Sequence, residues 1–225
     1  YIHRLLGRMI GLIFLLPFLF FVIKKWLNPS LIKKLLIIFL LGGFQGFLGW
    51  YMVKSGLVEN PYVSHYRLAI HLITATILFG YILWVTLTIW GRQEIPERDV
   101  PVIIKRLSLG LLSLVLLQIT YGGFVAGLKA GLVFNTFPKM GEDWFPAAIT
   151  SLEPLLDNFI KGLAGVQFVH RYLAYVIMLL VFWIWLLVRK QELNTIYQRG
   201  IGAVLLVLIA QFTIGVLTLI NCVSI

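Results

Sequence analysis

Six apolar runs, at about 5–23, 35–53, 67–90, 107–127, 162–188 and 200–220, dominate this chain, and its polar residues collect in the gaps between them. At 1.5 Å per residue, a run of roughly 20 residues is long enough to cross a hydrocarbon core as an α-helix. Lipid offers backbone amides no partner, so each run is expected to span as a helix with its hydrogen bonds closed internally. The pattern predicts an all-α integral membrane protein with six transmembrane helices in this segment.

The gaps suggest how the runs are grouped. Gly91 to Pro101 is polar and carries two prolines, which marks a boundary between two halves. The expected division is an N-terminal half-bundle at 1–91, a cytoplasmic linker at 92–106 and a C-terminal half-bundle at 107–225. The longest connection, 128–161, includes Phe134-Asn135-Thr136-Phe137-Pro138 and Trp144-Phe145-Pro146. Connections of this length are usually functional or disordered. Its aromatics and low charge predict a folded lid lying at the outer membrane surface.

An internal repeat emerges when the polar residues are aligned. His3-Arg4 and His170-Arg171 stand 167 positions apart, and Gln45-Gly46-Phe47-Leu48-Gly49 precedes Gln211-Phe212-Thr213-Ile214-Gly215 by 166. Two unrelated signatures at nearly one offset point to duplication. Gln118-Ile119-Thr120-Tyr121-Gly122 shows the same Gln-x-x-x-Gly pattern, and its first-half counterpart would fall before Tyr1. The same offset from His71 calls for a histidine near position 238. The chain is therefore expected to be a fragment truncated at its C-terminal end, with one helix lost.

Composition agrees with the membrane class. Hydrophobic residues make up 60% of the chain and charged residues 12%, against about 25% charged in soluble domains. A net charge of +10 would suggest nucleic acid in a soluble chain, but here most basic residues lie between apolar runs and read as topology signals. Alternating crossings put Lys24, Lys25, Lys33, Lys34, Arg92, Arg98, Lys105, Arg106, Arg189, Lys190 and Arg199 on one face, and the positive-inside rule makes that face cytoplasmic. Several cations of the opposite face, Arg4, Arg8, Arg67 and Arg171 among them, lie within a turn or two of a histidine, which orientation does not explain. The lone cysteine, Cys222, excludes an internal disulfide, a Cys-ligated zinc and a cluster held by this chain alone. No phosphate-binding loop, dinucleotide fingerprint, zincin motif or nucleophile elbow occurs, and nothing suggests a nucleic-acid surface.

The candidate chemistry lies with the histidines. With alternating crossings, His3, His71 and His170 all fall near the outer ends of their helices. Each is followed four residues later by a small residue, Gly7, Ala75 or Ala174, which clears the same helix face below the imidazole, as a flat macrocycle would need. Small-residue packing between membrane helices is the ordinary alternative. Imidazole can ligate iron and guanidinium can grip a carboxylate, and heme offers both partners. Two histidines from neighbouring helices of a bundle are one way to hold it. Ionisable residues in membrane helices are costly and by default suggest function. Arg4, Arg8, Arg67 and Arg171 are candidates for propionate contacts, with snorkelling to headgroups as the alternative. His65, about 240° around the helix from His71, reads as a surface or loop residue. Gln45, Gln118 and Gln211 read as hydrogen-bonding groups between helices.

The ordered series Ile2-His3-Arg4-Leu5-Leu6-Gly7-Arg8, Gln45 to Leu57, Arg67-Leu68-Ala69-Ile70-His71-Leu72, Gly122 to Gly131, Phe134 to Pro138 and Phe168-Val169-His170-Arg171 resembles the heme A synthase family over nearly all 225 residues. The absence of paired cysteines is more similar to its proteobacterial and mitochondrial branch. The resemblance implies two tandem four-helix-bundle repeats, of which this segment would lack the first and last helices. It assigns His3 and His71 to a catalytic site for heme O, and His170, with Arg171, to a heme b site in the second half. A glutamate that the family carries shortly before the first His-Arg would lie upstream of Tyr1.

The activity implied is oxidation of a methyl group of heme O to the formyl group of heme A for cytochrome oxidase, by two hydroxylations with water-derived oxygen and loss of water. The segment alone could be inactive. Implied partners are a heme O synthase, an electron acceptor and the lipid bilayer, with a homo-oligomer left open. The implied location is the bacterial inner membrane, multi-pass, with heme sites near the periplasmic face, or the mitochondrial inner membrane in a eukaryote. Two other functions remain open: a diheme membrane cytochrome that only transfers electrons, and a transporter with internal repeats. The second gives no reason for histidines at a common depth.

Overall fold

A computed structural model of the chain describes residues 2–54, 63–91 and 100–222, Lys54 by its backbone alone. Arg92, Arg98 and the end of the Gln45 to Leu57 stretch lie outside the described residues. Seven α-helices occur among those described: α1 Ile2–Ile23, α2 Pro29–Lys54, α3 His65–Trp90, α4 Val102–Leu128, α5 Leu155–Ile160, α6 Leu163–Lys190 and α7 Thr195–Ile220. All but α5 are long and apolar enough to cross a membrane. No strand is present among the described residues, only an isolated bridge between Met140 and Asp143. The protein is an all-α integral membrane protein.

The helices match the six apolar runs and extend past several of their ends. Asn28 Oδ1 accepts from the Leu31 amide at 2.8 Å, and Pro29 suits the first helical position because it has no amide to leave unpaired. α2 therefore starts ahead of its apolar run and takes in Lys33 and Lys34. Asn194 caps α7 in the same way, its side chain accepting from the Ile196 amide. α4 begins at Val102, so Val102 to Arg106, expected in the linker, are helical. Lys129, at φ 56°, closes α4 in the left-handed conformation. Arg189 and Lys190 lie in the last turn of α6, where cations complement the helix dipole.

The chain divides into two compact units, Tyr1–Val63 with Ile70–Glu94, and Ser64–Ala69 with Ile95–Ile225. Ser64–Ala69 belongs to the second unit, whereas the sequence pattern had put it in the first half. Glycine explains this. A Cβ on Gly127 would lie 2.6 Å from His65 Cα, and one on Gly123 would lie 2.9 Å from Ala69 Cα. Only bare backbone on α4 permits so close an approach. His65, expected at a surface or in a loop, opens α3 half-buried, its ring edge-on to Phe124.

In the first unit, α1 packs on α2, with Phe14 stacked near Phe39, and most large apolar side chains of these helices face outward. Such a surface suits hydrocarbon. The second unit has a true core along α6: Leu173, Ile177, Val181, Ile184 and Val188 recur on one helical face against α4 and α7. The connection from α4 to α6 is folded over the head of α6. Short 3-10 turns at Ala130–Leu132 and Ala147–Thr150 and the helix α5 order it. Buried Asn158 ties it together: its Oδ1 accepts from the Leu152 amide at 2.8 Å, and its Nδ2 donates to Leu152 O at 2.7 Å and Leu155 O at 3.0 Å. On the exposed side, Lys161 meets Asp157 at 2.9 Å, which holds the lysine pKa above its usual value.

Candidate functional site: two histidine cradles

Each unit carries one histidine held by the same two residue types. In the first unit, α2 places Gln45 and Gly49 against His71 of α3. Gln45 Nε2 lies 3.3 Å from His71 Nε2 and donates to the His71 carbonyl at 2.9 Å. Gly49 leaves room for the ring: a Cβ there would lie 3.3 Å from His71 Cε1. In the second unit, α4 places Gln118 Nε2 at 3.5 Å from His170 Nε2 of α6, and a Cβ on Gly122 would lie 3.4 Å from His170 Cε1. The Gln-x-x-x-Gly spacing puts amide and gap one helical turn apart on one face, so both meet one imidazole.

The expectation that glutamines bridge helices is met by Gln45 and Gln118, whereas Gln211 is exposed on α7. Thr74 was not anticipated. Its hydroxyl lies 2.6 Å from Gln45 Oε1, and it stands one turn after His71 on α3. A threonine three residues after a helical histidine was the available signal.

The remaining candidates are distributed unevenly. His3, Arg4 and Arg8 lie exposed on α1 of the first unit. Arg67 is half-buried on the first turn of α3 and belongs to the second unit. Arg171 is already engaged: Nη2 donates to Phe134 O, and Nη1 donates to Thr136 O at 2.8 Å and Lys139 O at 3.2 Å. It therefore clasps the outer connection to α6, with help from Gln167, which donates to Phe134 O at 2.9 Å. Arg171 Nε is buried and has no partner.

These residues fit a macrocycle better than a bare cation. Among the described residues, no three His, Cys, Asp or Glu side chains converge to hold a metal ion. Heme brings four nitrogens of its own and needs only one or two axial imidazoles. His71 Nδ1 and His170 Nδ1 are both buried without a hydrogen-bond partner, which is costly unless a ligand or water completes the site. Beside His3, a Cβ on Gly7 would meet nothing within 4 Å, so that face is open.

The family model described as cytochrome oxidase assembly protein (COX15-CtaA) matches residues 1–225. A protein named heme A synthase from Flavobacterium psychrophilum is 43% identical over 219 residues, covering 96% of this chain and 64% of that protein. Proteins of the same name from Nitrosospira multiformis and Wolbachia pipientis wMel are 43% and 40% identical, each over 97% of this chain and over 62% and 61% of their own lengths. The chain thus spans less than two thirds of these relatives. No solved structure matches. With the match running from the first residue to the last, the chain belongs to the cytochrome oxidase assembly protein family, COX15-CtaA.

Proposed function

We propose that the protein containing this chain is a heme A synthase, oxidising a methyl group of heme O to the formyl group of heme A for cytochrome oxidase. The repeated cradle carries the reading: two membrane units each present a histidine backed by glutamine and glycine. Relatives bearing that name support it. His3 and His71 would hold heme O as substrate, and His170 would help to hold a resident heme b. Arg4, Arg8 and Arg67 would meet propionates, as would Arg171 through Nε. When bound, heme b supplies one-electron transfer at a potential set by its ligands and burial.

The chain's own part is to bind the heme and orient its methyl group. Converting a methyl to a formyl group takes up one water and releases four protons and four electrons, so an external electron acceptor is required. Heme O would come from its synthase. The two units would be parts of two four-helix halves in an inner membrane, with the histidines towards the periplasm and the Lys24, Lys105 and Arg189 loops in the cytoplasm.

The test is to express the full-length protein in cells that make heme O but no heme A, and to extract the hemes. Heme A should appear with the natural sequence and vanish with His71→Ala, while heme b absorbance largely persists. The likeness of the two cradles also suits a diheme electron carrier. Bound heme in both variants with no heme A in either would select that function and reject the synthase.

A further inference from the structure

A groove of about 230 Å³ runs between α4 and α7 in the second unit. Its floor, Ile184 and Val188 of α6, lies roughly 21–27 Å along that helix from His170 at 1.5 Å per residue, so it is no part of the histidine cradle. Val100, Ile104 and Ser108, four residues apart, line the α4 wall, and Gly200, Ile201 and Val204 line the α7 wall. Small residues hold the mouth open. Ser108 is exposed, and a Cβ on Gly200 would meet nothing within 4 Å. A second depression, lined by Ala203, Val204, Val207, Leu208 and Gln211, shares Val204 and continues the track along α7. From Ile196 to Gln211 the track covers about 22 Å, more than half of a hydrocarbon core about 30 Å thick.

The basic end of this track is charged on both sides. Lys105 stands one residue after Ile104, turned about 100° towards the Ser108 side of α4. Arg199 lies one helical turn from both Ile196 and Ala203, which line the track on α7. Both cations are exposed, and neither forms a hydrogen bond or ion pair with a described residue. Lys190, exposed in the last turn of α6, adds a third cation at the same end, where Glu192 is the one acid among the described residues. Orientation in the membrane requires cations at one end of the helices; it does not require them to flank an apolar groove.

We infer that this groove binds an anionic phospholipid of the adjoining leaflet, with one acyl chain along the α7 track and the phosphate between Lys105 and Arg199. A neutral apolar molecule would use the track without the cations, and free phosphate the cations without the track. Only an anionic lipid uses both. Basic pockets between membrane helices suit such headgroups, and each cation contributes about a fivefold change in occupancy. The inference is independent of the proposed function.

The experiment places the full-length protein containing this chain in phosphatidylcholine bilayers doped with phosphatidylglycerol that carries a photoreactive group midway along one acyl chain. Mass spectrometry of the irradiated protein locates the label. It should fall within residues 200–208, about 25-fold above the level given by a phosphatidylcholine probe with the same chain. Lys105→Gln and Arg199→Gln should each lower it about fivefold, and the double variant should remove the preference between the two lipids. Gly200→Leu should block labelling by both, and an unchanged thermal midpoint in detergent shows that each variant is folded. Equal labelling by the two lipids, a preference that survives the double variant, or no label along the track would overturn the inference. Loss of the label on adding inorganic phosphate at constant ionic strength would make this a phosphate site and overturn the lipid assignment.

Discussion

Replacing Arg171 by methionine keeps most of the side-chain length and removes every donor. The guanidinium makes three bonds to the outer connection, at Phe134 O, Thr136 O and Lys139 O. Hydrogen bonds from charged donors contribute about 1.5–3 kcal/mol each, which would suggest up to about 9 kcal/mol. Two corrections lower that figure. The bonds to Thr136 O and Lys139 O lie at exposed positions, so water can replace much of the loss, and Phe134 O keeps Gln167 as a partner. About 3 kcal/mol of docking free energy is a realistic loss, or roughly a hundredfold rise in opening at 1.4 kcal/mol per decade. The reporters are the Met140 amide, which donates to Asp143 O at 2.9 Å, and the Gly141 amide, which donates to Thr136 Oγ1 at 2.7 Å. Both should exchange with deuterium about a hundred times faster, and trypsin should cut after Lys139. Arg171→Lys should recover only part of the protection, because one ammonium cannot span three carbonyls. Unchanged exchange accompanied by loss of bound heme would refute the clasp and leave Arg171 as a propionate contact only.

Two further substitutions test the packing around the site. In Gly165→Ala the new Cβ would sit 2.8 Å from the Asn158 carbonyl carbon and 3.2 Å from Ile149 O, so backbone must move; a loss of about 3 kcal/mol should lower the thermal midpoint in detergent. Gly49→Val starts 3.3 Å from His71 Cε1 and adds two methyls that displace the ring; heme absorbance from the first site should fall while the second-site spectrum stays.

Much of this architecture is legible in the sequence because bilayer thickness leaves few solutions. Apolar length alone locates six helices, and a histidine within such a run stands out as an unpaid desolvation cost. Helix ends are less legible: the apolar runs omit the polar first turns that Asn28 and Asn194 cap. Gln45 is visible as a polar residue, yet its repeat offset aligns it with Gln211, whereas its physical counterpart is Gln118, the glutamine that also backs a histidine. Repeat spacing reports ancestry, while contact depends on which helices share a hairpin. Arg171 is harder still. Its three acceptors lie 32 to 37 residues back, in a connection with no periodicity to read. The side chain that looked free to hold a carboxylate is spent instead on three backbone carbonyls of that connection.

The packing difference between the units bears on what each cradle can do. A resident cofactor favours a site that rarely opens, whereas a substrate that enters and leaves as product needs one that opens at low cost. The second unit has a continuous apolar core along α6 and a connection pinned over its head by Arg171, Gln167 and Asn158. The first differs: α1 has no buried residue, and its face at Gly7, one turn from His3, is open. In the first cradle Thr74, three residues after His71, brings its hydroxyl to 2.6 Å from Gln45 Oε1. Leu173, three residues after His170, instead joins the apolar core along α6.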